Sequence, residues 1–294
     1  MALTVFTHPA CAGHYPGAGH PEDPARLDAV LGALPGDLFP RITPEPAQEP
    51  AARAAHDPAY VGALARHGPG PLDPDTHMSA GSWRAALAAL GCALAGVDHV
   101  LAGCGPAFCA VRPPGHHATR ARAMGFCLLS TAALAALYAL ERVDRVAVLD
   151  FDVHHGNGTQ DILWDEARAA YISTHQWPFY PSTGAEGEVG AHGQVTNIPL
   201  PAGTGSPAYR RAFLDRVLPA LRAAAPGLLI VSAGFDAHAD DPLGGLALTT
   251  QDFGWIGAQI GALPTLSLLE GGYNHTALAA SVRAYAEGLK GGGL

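Results

Sequence analysis

The chain has 294 residues, an apolar fraction of 48% and a formal net charge of −9. A chain of this length can bury roughly three quarters of the surface that its unfolded form exposes, so a large core is available. The acidic balance argues against nonspecific nucleic-acid binding, because that binding needs basic surface to displace phosphate counterions.

Short apolar runs alternate with helical patterns along the chain. Continuous aliphatic runs predict strands at 3–7, 107–111, 145–151, 170–173, 228–232 and 265–269. Apolar residues at helical spacing predict helices at 82–101, 129–142, 207–224, 250–262 and 276–289, with Ser82 as the N-cap of the first. Continuous apolar strands suit a parallel sheet covered on both faces. We therefore predict an α/β fold with a mainly parallel sheet, in one domain spanning 1–294.

The cysteines and the N-terminal residues indicate the cellular compartment of the protein. The five cysteines are odd in number and form no Cys-x-x-Cys, which favours free thiols in a reducing cytoplasm over disulfides or a thiolate zinc site. The N-terminus has no basic region and too short an apolar run for a signal peptide. The most apolar stretch, 132–140, is far shorter than the roughly 20 residues of a membrane span. We predict a cytoplasmic protein without membrane or nucleic-acid partners, and the oligomeric state stays open.

Glycines and histidines concentrate directly after predicted strands. These loops lie at 113–117, 155–158, 233–234 and 270–273. Ligands of open parallel sheets bind at the carboxyl ends of the strands. The four loops are therefore expected to meet at one edge of the sheet and to form an active site.

Two of these loops offer ligands for a divalent metal. Asp150, Asp152 and His154 are spaced by two, which places them on one side if the strand persists, and Asp236 follows another buried strand. Asp152, His154 and Asp236 leave a fourth tetrahedral position for water, the pattern of a catalytic zinc site. A metal with an open position makes hydroxide near neutral pH, which predicts a hydrolase. A strand-end Asp can instead cap the next helix, so the spacing alone is only moderately specific.

Two further loops supply candidate acid, base and oxyanion groups. His116 and His117 follow Arg112-Pro-Pro-Gly, and two imidazoles beside a metal-bound water could remove its proton and later protonate a leaving group. Tyr273 follows two glycines, and its phenol could donate to an oxyanion. A packed loop tyrosine is the more common result of a Gly-Gly-Tyr motif taken alone.

Together these segments resemble the zinc-dependent histone deacetylase family over essentially the whole chain. The matching segments are GHPEDPARL at 19–27, RPPGHHA at 112–118, GFC at 125–127, DFDVHHGNGTQ at 150–160, SAGFDA at 232–237, DPLGG at 241–245 and EGGYN at 270–274. The class II branch and its bacterial amidohydrolase-like members are closest, because Asn157 stands where class I members usually have Asp. The resemblance implies an arginase-like three-layer fold with a central, mainly parallel eight-stranded sheet.

The resemblance also implies roles for individual residues. Asp152, His154 and Asp236 would bind one zinc ion per chain. His116 and His117 would flank the water, with His117 as the proton shuttle.

Other residues of the site gain roles in the same way. Tyr273 would polarise the substrate carbonyl, Asp150 would hydrogen-bond to His116, and Asn157 would orient His117. Because Asn carries no charge, the two histidines should differ in proton affinity. Asp150 and Ser173 resemble part of the family's buried potassium site.

Four residues match positions that line the family's substrate tunnel. They are Gly125, Phe126, Tyr180 and Leu243. The rings of Phe126 and Tyr180 would flank the acyl-lysine chain, although the family usually has Phe at the second position. Leu243 matches the rim, where an acidic residue favours polyamines in some relatives. Core packing is the alternative for Phe126, Tyr180 and Leu243.

The implied reaction is hydrolysis of a linear amide, which removes an acetyl or other acyl group from an acyl-lysine side chain or an acylated small molecule. An acetylpolyamine amidohydrolase would use the same machinery. The segment from Asp236 to Asp240, with His238, also matches a ligand pattern of two-manganese arginase-like ureohydrolases, although their other motifs are missing. A noncatalytic acyl-ligand-binding protein is a further alternative, which the retained ligands and Tyr273 disfavour.

Overall fold

A computed structural model describes residues 2–292, and its centre is a sheet of eight parallel strands. Met1, Gly293 and Leu294, which the predicted domain includes, lie outside the described residues. The order across the sheet is β2 (Arg41–Ile42), β1 (Thr4–Phe6), β5 (Ala107–Cys109), β10 (Thr265–Leu269), β9 (Leu228–Ala233), β6 (Val146–Asp150), β7 (Ala169–Gln176) and β8 (Val195–Leu200). A separate antiparallel hairpin joins β3 (Gly70–Pro71) to β4 (His77–Met78). The predicted α/β class and eight-stranded sheet are confirmed.

Residues 2–292 form ten α-helices. They are α1 (Ala25–Ala33), α2 (Glu49–Ala52), α3 (Pro58–Arg66), α4 (Ser82–Leu101), α5 (Thr131–Ala139), α6 (Asn157–Leu163), α7 (Ser206–Ala212), α8 (Leu218–Ala224), α9 (Thr250–Ile260) and α10 (His275–Gly291). The helix predicted at 207–224 is α7, a π-helical turn at Phe213–Val217, and α8 in direct succession. Pro219 lies just after this turn and cannot donate to the helical hydrogen-bond ladder.

The alternation of side chains along the strands shows that helices lie on both faces. In β5, the thiol of Cys109 donates to the carbonyl of Cys92 in α4 at 3.4 Å. The neighbouring Phe108 contacts Tyr285 of α10, whose hydroxyl is 2.8 Å from that of Ser267 in β10. Because adjacent residues of a strand point to opposite faces, α4 and α10 lie on opposite sides of the sheet. This arrangement is the three-layer fold that the resemblance implies.

Helix α4 differs from the sequence expectation at its start. Its N-cap is Gly81, so the prediction of Ser82 as N-cap is wrong by one residue. The Ser82 hydroxyl is instead buried, where it accepts from the Ser79 backbone N–H at 2.7 Å and pairs with His14 Nδ1 at 2.7 Å.

Helix α4, rather than residues 132–140, is long and apolar enough to be considered as a membrane span. It has 20 residues and a window of mean hydropathy 1.4. However, 61% of that window is buried inside the protein, as expected for a helix of a large core. The length and composition of α4 are therefore only weak evidence for a membrane-spanning segment.

Several helices and strands were not predicted from the spacing of apolar residues. Helices α1 and α3 were not predicted, although Leu27, Val30 and Leu31 in α1 and Val61 and Leu64 in α3 have helical spacing. Helix α6 begins with Asn157 and Gly158, which are poor helix formers. Strand β8 contains Asn197 and Pro199, both disfavoured in strands, and it lies at the edge of the sheet, where Pro is tolerated. Tertiary packing decides the conformation of α6 and β8.

Candidate active site

The carboxyl ends of four neighbouring strands carry the predicted site residues. Strands β5, β10, β9 and β6 are adjacent and parallel, so the loops that follow them leave the same edge of the sheet. Strand β6 ends at Asp150, and Asp152 and His154 belong to the loop beyond it. The convergence therefore depends on the loop as well as on strand alternation.

Asp152, His154 and Asp236 form one compact cluster. Their potential ligand atoms all lie within 4.8 Å of one another. His154 Nδ1 is 3.1 Å from Asp152 Oδ1 and 3.1 Å from Asp236 Oδ2. The backbone N–H groups of Gly271 and Val153 donate to Asp152 Oδ2 and Asp236 Oδ1, each at 2.8 Å. These bonds fix the outer carboxylate oxygens and leave the inner ones directed at a common point.

The backbone around the cluster leaves room for ligand atoms but not for side chains. A Cβ atom at Gly271 would lie 2.1 Å from Asp236 Oδ2, and one at Gly234 would lie 2.0 Å from Asp152 Oδ2. Real Cβ atoms do not approach so closely, so glycine is required at both positions.

The charge distribution of the cluster suits a cation. Burial opposes a charge on His154, but its bonds to Asp152 and Asp236 outweigh burial and raise its pKa to about 10. Burial, followed by repulsion from Asp152, raises the pKa of Asp236 to about 7. Two carboxylates and one imidazole are ligands that Zn²⁺ binds in proteins. A bound metal would displace the protons that these raised pKa values place on His154 and Asp236. The residues thus fit the predicted zinc ion.

The two histidines of the next loop have different partners. His116 Nδ1 lies 3.1 Å from Asp150 Oδ2, and its Nε2 lies 3.8 Å from Asp152 Oδ1. His117 Nδ1 lies 2.8 Å from Asn157 Oδ1. Because an amide oxygen only accepts, His117 carries its proton on Nδ1 and presents a bare Nε2.

This difference in partners separates the proton affinities of the two rings. Burial opposes a charge on His116, but Asp152 and Asp150 outweigh it and hold its pKa well above the usual range. Burial, reinforced by the neighbouring His116 and His154, holds the pKa of His117 well below the usual range. His117 is thus the neutral ring of the pair.

Tyr273 reaches the same space from the loop after β10. Its backbone N–H donates to Asp241 Oδ2 at 2.7 Å, and the Arg26 guanidinium lies 4.8 Å from the ring centroid. Burial raises the pKa of the phenol well above its usual range, and Arg26 opposes this only in part. The phenol therefore keeps its proton and can donate a hydrogen bond.

The predicted potassium ligands are neighbours in the sheet. Asp150 pairs in register with Ser173 between β6 and β7, and both are fully buried. Asp150 Oδ2 accepts from the Tyr171 hydroxyl at 3.1 Å, while the Ser173 hydroxyl pairs with His175 Nδ1 at 2.9 Å. These contacts do not join the two side chains directly, and potassium binding stays a prediction.

A small cavity reaches His154 of the candidate ligand cluster. Its volume is about 140 Å³, and its lining residues are Asp75, His117, Gly125, Phe126, His154, Tyr180, Leu243 and Tyr273. The four predicted tunnel residues are thus brought together beside the histidines and the phenol. Gly125 has a φ of 55°, and a Cβ there would lie 2.3 Å from His117 Cδ2, so only glycine fits. Asp75, which brings a carboxylate to this cavity, has no counterpart in the sequence prediction.

Several buried charged residues behind the site lie in the matching motifs but were given no role in the sequence analysis. Glu270 accepts from the backbone N–H groups of Gly115 and His116 at 2.6 and 3.2 Å, which ties the histidine loop to β10. Glu22, fully buried, pairs with Arg112 and Arg26. All four charged residues lie inside the quoted motifs, but sequence patterns do not reveal which motif contacts which.

The ureohydrolase alternative would require His238 and Asp240 to bind a second metal ion, and their surroundings do not favour this. His238 Nδ1 accepts from the Asp240 backbone N–H at 3.1 Å, and its ring stacks on Phe253. The Asp240 side chain is 72% exposed. Within residues 2–292, the two groups of three potential ligands are Asp152, His154 and Asp236, and His116, Cys127 and Glu270. Neither group includes His238 or Asp240, so neither supports the second-ion pattern of the ureohydrolases.

Comparison with known proteins identifies the family. The histone deacetylase domain matches residues 20–289, which is most of the chain. This chain belongs to the histone deacetylase family. It is therefore a hydrolase that acts on amides, as the sequence resemblance predicted.

The relatives extend across kingdoms. The chain is 46% identical to an uncharacterised protein of Synechocystis sp., over 92% of this chain and 93% of that protein. It is 41% identical to a histone deacetylase-like amidohydrolase of Pseudomonas aeruginosa, over 83% of this chain and 67% of that protein. It is 36% identical to the chloroplastic histone deacetylase 10 of Oryza sativa subsp. japonica, over 95% of this chain and 71% of that protein.

Two solved structures share the fold closely. The crystal structure of the HDA15 HD domain has a TM-score of 0.93 and 35% identity, covering 98% of this chain and 91% of that one. An acetylpolyamine aminohydrolase from Burkholderia pseudomallei has a TM-score of 0.91 and 32% identity, covering 98% of both chains. The histone deacetylase fold is thus shared with an enzyme named for a small-molecule substrate.

Proposed function

We propose that residues 1–294 form one zinc-dependent amidohydrolase domain that removes acetyl or longer acyl groups from acyl-lysine side chains or related acylated amines. The observation that carries this proposal is the cavity of about 140 Å³ that is lined by His154, His117 and Tyr273 together. A small cavity whose lining also includes the apolar side chains of Phe126 and Leu243 suits an alkyl chain that bears an amide at its tip. The reacting carbonyl would then lie beside the proton acceptor, the phenol and the ligand cluster.

Different residues of the site would serve different steps of amide hydrolysis. A zinc ion held by Asp152, His154 and Asp236 would supply a Lewis acid and make water acidic. His117 accepts the proton of the attacking water at its bare Nε2. The Tyr273 phenol donates to the carbonyl oxygen as negative charge develops there.

The leaving group and the second histidine complete the scheme. The departing amine receives the proton of the attacking water from the His117 imidazolium, which returns the ring to its neutral form. His116, held by Asp150, keeps positive charge next to the reacting centre. The products are a free amine and a carboxylate.

An acetylpolyamine is the second candidate substrate, supported by the likeness to the Burkholderia pseudomallei enzyme and by the Asp75 carboxylate at the cavity. Leu243 at the rim adds no negative charge to this attraction. Zinc-loaded protein should be assayed with acetyl-lysine peptide, longer acyl-lysine peptides and N-acetylspermidine. We expect the highest kcat/KM for an acyl-lysine substrate. A higher value for N-acetylspermidine would favour the second candidate, and no hydrolysis of any of them would favour the noncatalytic alternative.

Location and potassium binding remain part of the proposal. The structure has free thiols at Cys11, Cys92, Cys104, Cys109 and Cys127, which suits the predicted reducing cytoplasm. Potassium would bind near Asp150 and Ser173. Thermal melts in potassium and in tetramethylammonium buffers of equal ionic strength test this point, since only a bound ion raises the melting temperature selectively.

A further inference from the structure

One wall of the cavity has an unfavourable backbone conformation. Gly125 and Phe126 have φ of 55° and 68°, and the flanking Met124 and Cys127 pair with each other, so residues 124–127 form a tight turn. Left-handed φ is ordinary for glycine but unfavourable for a residue with a Cβ. The position of Phe126 must therefore be held by contacts from outside the turn.

The main outside contact comes from Thr76, in the loop between β3 and β4. Its hydroxyl accepts the Phe126 backbone N–H at 3.0 Å and donates to Asp75 Oδ1 at 2.9 Å. Thr76 is only 1% exposed, so water does not compete for these bonds. Within this loop, Asp73 Oδ1 accepts from the N–H groups of Asp75 and Thr76 at 3.0 and 2.7 Å. Thr76 thus links two elements of the cavity, Phe126 and Asp75.

His20 joins the same two elements from a third segment. Its ring meets the Phe126 ring edge-on, with centroids 4.6 Å apart, and its Nε2 lies 3.0 Å from the Asp75 carbonyl oxygen. The Glu22 backbone N–H donates to the other ring nitrogen at 3.1 Å, so Nε2 carries the proton. The backbone of Phe126 is held by Thr76 and its ring by His20.

We propose that Thr76 is a positioning residue that fixes Phe126 as a wall of the cavity and Asp75 at the same cavity in one geometry suited to the substrate chain. This inference rests on the proposed amidohydrolase function. Thr76 makes no hydrogen bond to His117 or Tyr273, so its hydroxyl acts on the binding of the substrate chain rather than on proton transfer. Loss of the hydroxyl should therefore change KM before kcat.

The test compares Thr76→Val, which keeps the shape but lacks the hydroxyl, with Thr76→Ser, which keeps the hydroxyl. With acetyl-lysine peptide as substrate, we expect T76V to raise KM roughly threefold to tenfold, the effect of one lost buried hydrogen bond, and to leave kcat within about twofold. T76S should restore KM to near the wild-type value. An unchanged KM in T76V, or equal losses in both variants, overturns the proposal.

Hydrogen exchange provides a second measurement, which does not depend on catalytic activity. The peptide containing residues 124–127 should lose amide protection in T76V but not in T76S, and equal protection in both overturns the proposal. If T76V does not fold, Thr76→Ala also removes the hydroxyl, and its KM must rise for the proposal to stand. If the wild-type protein hydrolyses no acylated amine, the proposed function fails, while the exchange comparison still tests Thr76.

Discussion

The imidazole of His117 faces the neutral amide of Asn157, with 2.8 Å between Nδ1 and Oδ1. The adjacent His116 faces the carboxylate of Asp150 instead. The two consecutive histidines therefore have different hydrogen-bond partners, one neutral and one charged. Burial, together with the charges of His116 and His154, lowers the pKa of His117. A neutral His117 over a broad pH range follows from this arrangement.

Asn157→Asp should shift the pH profile of the reaction. A carboxylate beside Nδ1 stabilises the imidazolium and raises the pKa of His117. Because the base must be neutral, we expect the acidic limb of the kcat/KM profile to move to higher pH, with activity lost first below neutrality. The profile should be measured with acetyl-lysine peptide from pH 5 to pH 10. A limb that stays in place or moves to lower pH would contradict the role of His117.

Tyr273→Phe should reduce turnover without loss of the fold. Removing one preorganised donor to a developing oxyanion typically costs about 10²–10³ in kcat. We expect such a loss at saturating substrate, with KM little changed. Tyr15→Phe is a matched control, because Tyr15 is 51% exposed and lies outside the cavity lining. Similar kcat values for Tyr273→Phe and the control would remove Tyr273 from the mechanism.

Asp236→Asn should abolish metal binding, whereas Asp240→Asn should not. Asp236 belongs to the three-donor cluster, while the Asp240 carboxylate is 72% exposed. We expect about one zinc ion per chain in the wild-type protein and in D240N, and a strong loss of zinc and activity in D236N. Elemental analysis after dialysis gives the stoichiometry. Two manganese ions per chain, with one lost in D240N, would instead support the ureohydrolase alternative.

Glu22→Gln should destabilise the protein strongly. Burial opposes the charge on Glu22, but Arg112, His14 and Arg26 outweigh burial and hold its pKa well below the usual range. Removing the charge leaves buried arginine uncompensated, and we expect a loss of about 3–5 kcal/mol in the free energy of unfolding by urea titration. Glu49→Gln, in the exposed pair with Arg53, should cost less than about 1 kcal/mol.

The pH dependence of the Glu22→Gln effect has a definite sign. A carboxyl group with a depressed folded pKa stabilises the fold above its unfolded pKa of about 4.3 and loses this contribution as pH falls. The stability difference between wild type and E22Q should therefore be constant near neutral pH and shrink below about pH 4. A difference that grows on acidification would show that Glu22 is not held as a carboxylate.

The sequence alone determined the fold class and the candidate ligands. Long buried strands such as β6 and β10 are continuous apolar runs, because both faces of a parallel sheet are covered, and this pattern is local. The ligands Asp152 and His154 are close in sequence and follow such a strand directly. Asp236, His117 and Tyr273 follow other predicted strands, and the motif resemblance supported their selection. The structure brings Asp236 to Asp152 and His154, and it places His117 and Tyr273 at the cavity.

Only the tertiary structure decided which distant groups meet. Glu22 and Arg112 are 90 residues apart, and Thr76 and Phe126 are 50 apart, yet both pairs are hydrogen-bonded. No periodicity encodes such pairs, because loop geometry and the order of strands across the sheet set their distance. The conformations of α6 and β8 were decided in the same way, since burial against neighbours outweighs the weak preferences of Asn, Gly and Pro.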